Sequence, residues 1–194
     1  MAIRTIRVDE DPILRKVSKS VKKFDNSLHE LLTDMADTMY EADGVGLAAP
    51  QVGVLKRIYI IDIGEGLVEF INPEIIEADG EQIGDEGCLS IPRKYGQVKR
   101  PFTVKVRAQD RNGDFFEIIG EELFARAMCH EGDHLEGKVF IDMVEGDIFE
   151  EVLEEIEHEN PEMPIDAAQQ LATEITSDIT NEITNENGET HEEK

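Results

Sequence analysis

His130-Glu131-Gly132-Asp133-His134 is the stretch from which the rest of the chain is read. On a helix, residues four apart share a face, so the two imidazoles can grip one metal ion. Glu131 lies one position round and can reach a water at such an ion. Two histidines also fall at this spacing by chance, and five residues alone leave both readings open. Gly132 weakens a helix by roughly 1 kcal/mol against alanine. Outward from the pair, residues 121–135 still read as a helix. Cys129 then faces away from any ion that His130 faces, and it is read as packing.

Two histidines do not complete a catalytic metal site, which needs a third protein ligand and an open position. Upstream, Glu86-Gly87-Cys88-Leu89-Ser90 presents a cysteine in a glycine-bearing turn. A thiolate there would complete a Cys-His-His set. A buried small hydrophobe is the commoner fate of a lone cysteine. Further upstream stands Gly44-Val-Gly-Leu-Ala-Ala-Pro-Gln51. Its glycines allow backbone approach to a ligand, and Gln51 offers a neutral amide donor suited to a developing oxyanion. Taken alone it reads first as a loop that ends a helix. It lacks the Lys and Ser/Thr of a phosphate loop.

Leu28, Leu31, Leu32, Met35, Met39 and Ala42 recur at helical spacing and predict a helix over 25–42, capped by Asp25 or Ser27. Asp11-Pro12 reads as an extended or turn entry. Residues 57–63 predict a buried strand, Asn72-Pro73 punctuates, and 74–78 resume extended structure. Residues 97–109 alternate as one half-buried strand, and Asn112-Gly113 predicts a hairpin turn returning through Phe115 to Ile119. Ile148, Val152, Leu153 and Ile156 predict a further helix over 147–158. The expected fold is α+β: short, mostly antiparallel strands around a central metal-binding helix, with that further C-terminal helix.

The chain's 194 residues suffice for one domain and an appendage. Of its net charge of −25, residues 141–194 contribute −17, from 18 acids and one base. From Asp166 onward eight acids face one base, within a four-residue repeat (Glu174-Ile-Thr-Ser, Asp178-Ile-Thr-Asn, Glu182-Ile-Thr-Asn). The expectation is a catalytic domain over 1–159 and a disordered acidic tail over 160–194. Such charge argues against direct nucleic-acid affinity and against an anionic membrane surface. No apolar run approaches the roughly 20 residues of a membrane span, and Met1–Lys16 lacks an apolar signal core, so a cytoplasmic location is expected.

Together the three segments resemble the peptide deformylases, whose motifs G-x-G-x-A-A-x-Q, E-G-C-x-S and H-E-x-x-D/x-H stand in this order. Asp11-Pro-Ile-Leu-Arg15, Ile71-Asn-Pro73, Ala125-Arg-Ala127 and Leu135-Glu-Gly137 extend the likeness over roughly residues 1–158. The resemblance implies hydrolysis of the N-terminal formyl group of nascent proteins, with release of formate. It implies one divalent metal per chain on Cys88, His130 and His134, typically Fe(II), with Zn, Ni or Co able to take the place. Glu131 would be the general base. Gln51 and the Leu89 backbone N–H would hold the oxyanion. Gly46 would pair with the substrate strand. Val45, Leu123, the stem of Arg126 and Ala127 would line the pocket for the first side chain, normally methionine. Glu86 and Arg100 would form an ion pair that fixes the cysteine turn. N-formylated peptides are the implied substrates, and the ribosome exit region is a candidate partner. Two features depart from the family: Cys129 stands where glutamine is usual, and the acidic tail is atypical. A zinc endopeptidase would explain the histidine helix but leave Gly44–Gln51 and Cys88 without a role. A non-catalytic binding module of the same fold would be expected to have lost at least one of these residues.

Overall fold

The computed structural model describes residues 2–8, 10–150 and 164, with backbone only for 146–150. Among the described residues two helices, α1 (Asn26–Glu41) and α2 (Glu122–Leu135), accompany eight strands. These are β1 (Gly46–Ala48), β2 (Ile58–Ile61), β3 (Val68–Asp79), β4 (Gln82–Cys88), β5 (Ile91–Arg100), β6 (Thr103–Gln109), β7 (Phe115–Glu121) and β8 (Val144–Glu150). They form a five-stranded sheet, β1-β2-β3-β6-β7, and a three-stranded sheet, β4-β5-β8. Every strand pairing in both sheets is antiparallel. The fold is α+β.

The larger sheet is covered on both faces, which is why β2 is apolar at every position. Ile58 and Ile60 point to one side and pack with Leu28, Leu32, Met35 and Met39 of α1. Tyr59 and Ile61 point to the other and pack with Ala125, Met128, Cys129 and Leu135 of α2. Asp25 caps α1 by accepting from the Leu28 N–H. Helix α2 follows β7 with no intervening residue. Glu122 makes that corner with φ +50°, and its N–H is held by Phe102 O at 3.0 Å.

Four expectations need correction. Residues 147–158 were expected to be helical, but 147–150 belong to β8, where Ile148 and Phe149 pair with Gly96 and Tyr95 of β5. Tertiary pairing along a sheet edge overrides the local helical period. Residues 151–158, and the tail from 160 apart from Pro164, lie outside the described residues. Cys88 closes a strand, β4, rather than sitting in a turn; the turn is at Leu89-Ser90. The strand expected over 97–109 is two, broken at Pro101-Phe102, because proline cannot continue the ladder. Asn72-Pro73 does not end a strand. It forms a bulge inside β3, with Asn72 at φ +51° and its side chain bonded to Val21 and Gln109.

Candidate active site

A cavity of about 420 Å³ opens between β1, the β4–β5 hairpin and the N-terminal part of α2. Three segments far apart in sequence meet there. Cys88 Sγ, at the end of β4, lies 3.2 Å from His134 Nε2 on α2. The ligand atoms of Cys88, His130 and His134 all lie within 4.8 Å of one another. That is close enough for the three to converge, with small side-chain adjustments, on one ion at 2.0–2.3 Å.

The electrostatics of this cluster call for a cation. Burial holds the His134 pKa well below its ordinary value, leaving a neutral imidazole free to donate a lone pair. Burial also opposes charge on His130, yet Cys88 and Glu86 outweigh it and raise that pKa well above normal. The positive charge that the thiol and carboxylate favour is the charge a divalent ion would bring. His130 Nδ1 sits 3.0 Å from Glu86 Oε2, so that carboxylate orients the ring and leaves Nε2 for a metal. Donor chemistry, spacing and charge therefore fit a divalent ion.

Glu86 is the hub that holds the arrangement. Arg100 grips it bidentately, Nε to Oε1 at 2.8 Å and Nη2 to Oε2 at 2.9 Å, and Arg126 Nη1 adds a third contact at 2.8 Å. Burial alone would raise the Glu86 pKa; the Arg100 and His130 contacts prevail and hold it at about 2. Arg100 also bonds Asp133 Oδ2 at 2.6 Å, tying β5 to the solvent side of α2. Arg126 reaches Gly84 O and Val98 O as well, so its charged head belongs to the β4–β5 sheet, and the residue lines the cavity.

Glu131 is buried, and burial pushes its carboxyl up to about 7. Its Oε2 has no hydrogen-bond partner among the described residues. A buried carboxylate oxygen left unpaired is costly unless something else is meant to meet it. Gly46 is what lets it sit there, since a Cβ on residue 46 would lie 2.4 Å from Glu131 Oε1. Gln51 is buried and fixed at both ends. Its Oε1 accepts from the Ala48 N–H at 2.8 Å, and its Nε2 donates to Ser90 Oγ at 3.1 Å and faces Cys88 Sγ at 3.5 Å. Val45, Gly46, Gln51, Glu86, Cys88, Leu89, Leu123, Arg126, Ala127, His130 and Glu131 all line the cavity; His134 and Arg100 stand behind it. The sequence reading thus named residues that the fold brings together, but it passed over Ser90 and Asp133. Both lie inside the motifs already quoted, at positions whose polarity was the available signal. Gly132 faces open space, and nothing in the packing requires a glycine there. Cys129 packs in the apolar cluster against Tyr59, and burial pushes its thiol up to about 11.

The chain matches the family model for polypeptide deformylase over residues 3–147. It is 60% identical to a peptide deformylase of Alkaliphilus metalliredigens over 144 residues, covering 74% of this chain and 98% of that protein. Against a peptide deformylase of Caldicellulosiruptor bescii the identity is 57% over 155 residues, covering 80% and 93%. Among solved structures, the Thermotoga maritima peptide deformylase superposes with a TM-score of 0.74 at 44% identity, covering 75% of this chain and 99% of that one. A Synechococcus elongatus peptide deformylase in complex with actinonin gives 0.71 at 42% identity, covering 73% and 78%. The two helices, the antiparallel sheets and the Cys-His-His cluster are accounted for together: this chain belongs to the polypeptide deformylase family.

Proposed function

We propose that this enzyme hydrolyses the formyl amide at the N-terminus of formylmethionyl polypeptides and releases formate. The observation that carries the reading is the cysteine–histidine cluster beside the unpaired Glu131 carboxylate, at the wall of a cavity that Val45, Leu123 and Ala127 also line. Cys88, His130 and His134 would hold a single divalent ion, Fe(II) by family resemblance, with Zn, Ni or Co as alternatives. When bound, that ion supplies Lewis acidity, which makes water acidic enough to yield a nucleophile near neutral pH.

Glu131 takes the proton from the attacking water and delivers it to the departing amine. Burial, which raises this carboxyl, favours its taking up the proton. Gln51 Nε2 and the Leu89 backbone N–H donate to the oxygen that gains charge at the tetrahedral stage. Ala48 and Ser90 already fix the Gln51 amide, and the N–H that faces Cys88 Sγ is the one that turns to this oxygen. β1 is an edge strand of its sheet, so Gly46 offers backbone groups to an extended peptide added alongside. Val45, Leu123, the Arg126 stem and Ala127 then receive the methionine side chain. Glu86 and Arg100 orient His130 and the end of β4. Substrates of this kind emerge at the ribosome exit region, which would place the enzyme in the cytoplasm beside it. Among the described residues no helix is long and apolar enough to cross a membrane.

The test measures formate released from a formyl-Met peptide beside cleavage of casein, in one preparation of known metal content. Formate release with intact casein is expected; cleaved casein without formate would replace the reading with an endopeptidase. Cys88→Ala should abolish stoichiometric metal binding, and full metal content in that variant would break the ligand assignment.

A further inference from the structure

Away from the cleft, Arg15-Lys-Val-Ser-Lys-Ser-Val-Lys-Lys23 carries five bases and no acid in a chain of net charge −25. The segment is pinned as a rail. The Ser18 N–H donates to Leu135 O at 2.8 Å, the Lys19 N–H to Leu55 O at 3.1 Å, and the Arg57 N–H to Lys19 O at 2.9 Å. Both backbone groups of Val21 bond the Asn72 side chain, at 2.7 and 2.9 Å. Ser18 and Val21 are buried, which leaves Lys16, Lys19, Lys22 and Lys23 exposed. Lys56 joins them through its bridge to Lys19. Asp142 pairs with Arg15 at the head of the ridge, Glu136 pairs with Arg57, and Asp25 caps α1. Among the described residues, none of the four lysines forms an ion pair with them.

The counter-charge is in the same chain. Residues 166–194 carry eight acids and one base. We propose that the lysine ridge at residues 16–23 is the docking surface for the chain's own acidic segment, residues 166–194. The reach is sufficient. β8 begins beside the turn Phe140–Asp142, whose Asp142 pairs with Arg15 at the head of the ridge. Seven strand residues carry the chain about 23 Å from there to Glu150. The next fifteen residues, 151–165, can span up to about 50 Å, enough to return. Tethering keeps the acids at an effective concentration on the order of mM, so weak exposed pairs can still be occupied. The ridge bonds Leu135 at the far end of α2, whereas the cleft is lined by that helix from Leu123 to Glu131. A docked segment therefore leaves substrate access open. It also neutralises the surface on which a polyanion such as RNA would otherwise settle.

A water-soluble carbodiimide, which joins a lysine amine to a carboxylate in contact with it, tests this on the full chain. The protein is a dilute mixture of unlabelled and 15N-labelled copies, and cross-links are mapped by mass spectrometry. Expected are cross-links within one chain from Lys16, Lys19, Lys22 or Lys23 to acids between Asp166 and Glu193. They should fall sharply at ~1 M NaCl, where the Debye length is about 3 Å. Lys105 and Glu117, 2.8 Å apart, serve as the internal reference. Reference cross-links without ridge-to-tail ones would overturn the proposal, as would ridge cross-links found only between chains. K19Q/K22Q/K23Q should enlarge the hydrodynamic radius on sizing while leaving formate release unchanged. An unaltered radius would count against docking.

Discussion

A methyl group on residue 46 has no room, because Glu131 Oε1 would be 2.4 Å from it. Gly46→Ala should therefore push the carboxylate off its position while Cys88, His130 and His134 stay as they are. We expect kcat to fall on the order of 10²-fold, the usual cost of a misplacement near 1 Å, with metal content unchanged by elemental analysis. An unaltered kcat would mean that the carboxylate's place does not matter. Glu131→Gln keeps the shape and removes the proton acceptor. Its kcat should drop by roughly 10² to 10⁴-fold with the metal retained, and near-normal turnover would remove Glu131 from the chemistry. At this scale the sequence was informative, because one helical turn places His130 and His134 together without knowledge of the rest. It could not show that the Arg126 head joins Arg100 on Glu86, or that Asp133 holds Arg100 from outside. A long side chain has two ends, and its position in the chain does not say which end binds what.

Among the elements, α1 could be read from its period, and β2 from an apolar run that both faces of the sheet bury. β4 could not. Gln82-Ile-Gly-Asp-Glu-Gly-Cys88 has neither alternation nor β-branched density, and it exists because β5 pairs along its whole length. β8 shows the opposite failure at 147–150, where residues expected to open a helix pair instead along an available sheet edge. The double burial of β2 also carries a cost that can be measured. The Tyr59 hydroxyl is buried with no partner among the described residues. Tyr59→Phe deletes that oxygen and keeps the ring against Phe70, with centroids 4.7 Å apart. Folding stability should be unchanged or rise by about 1 kcal/mol in urea titration. A loss above about 1 kcal/mol would mean that the hydroxyl is satisfied by a water.

For the whole molecule, the uneven charge makes its own prediction. A chain ending at Glu159 should keep its kcat/KM, and its stability should change by no more than about 0.5 kcal/mol, since exposed ion pairs contribute little. A larger loss on thermal melting, or a shift from dimer to monomer on sizing, would show that the distal isoleucines Ile175, Ile179 and Ile183 are structural. The separations across the site have a consequence for biosynthesis. Gln51 meets Cys88 across 37 residues, Glu86 meets His130 across 44, and Cys88 meets His134 across 46. Contacts so distant form late, and a partly translated chain cannot form them at all. A ribosome that has reached Cys129 has made one of the three proposed ligands, and β1 and β2 must still wait for α2 to be laid against them. An enzyme whose substrates are chains in the act of being made is itself inert for most of its own making.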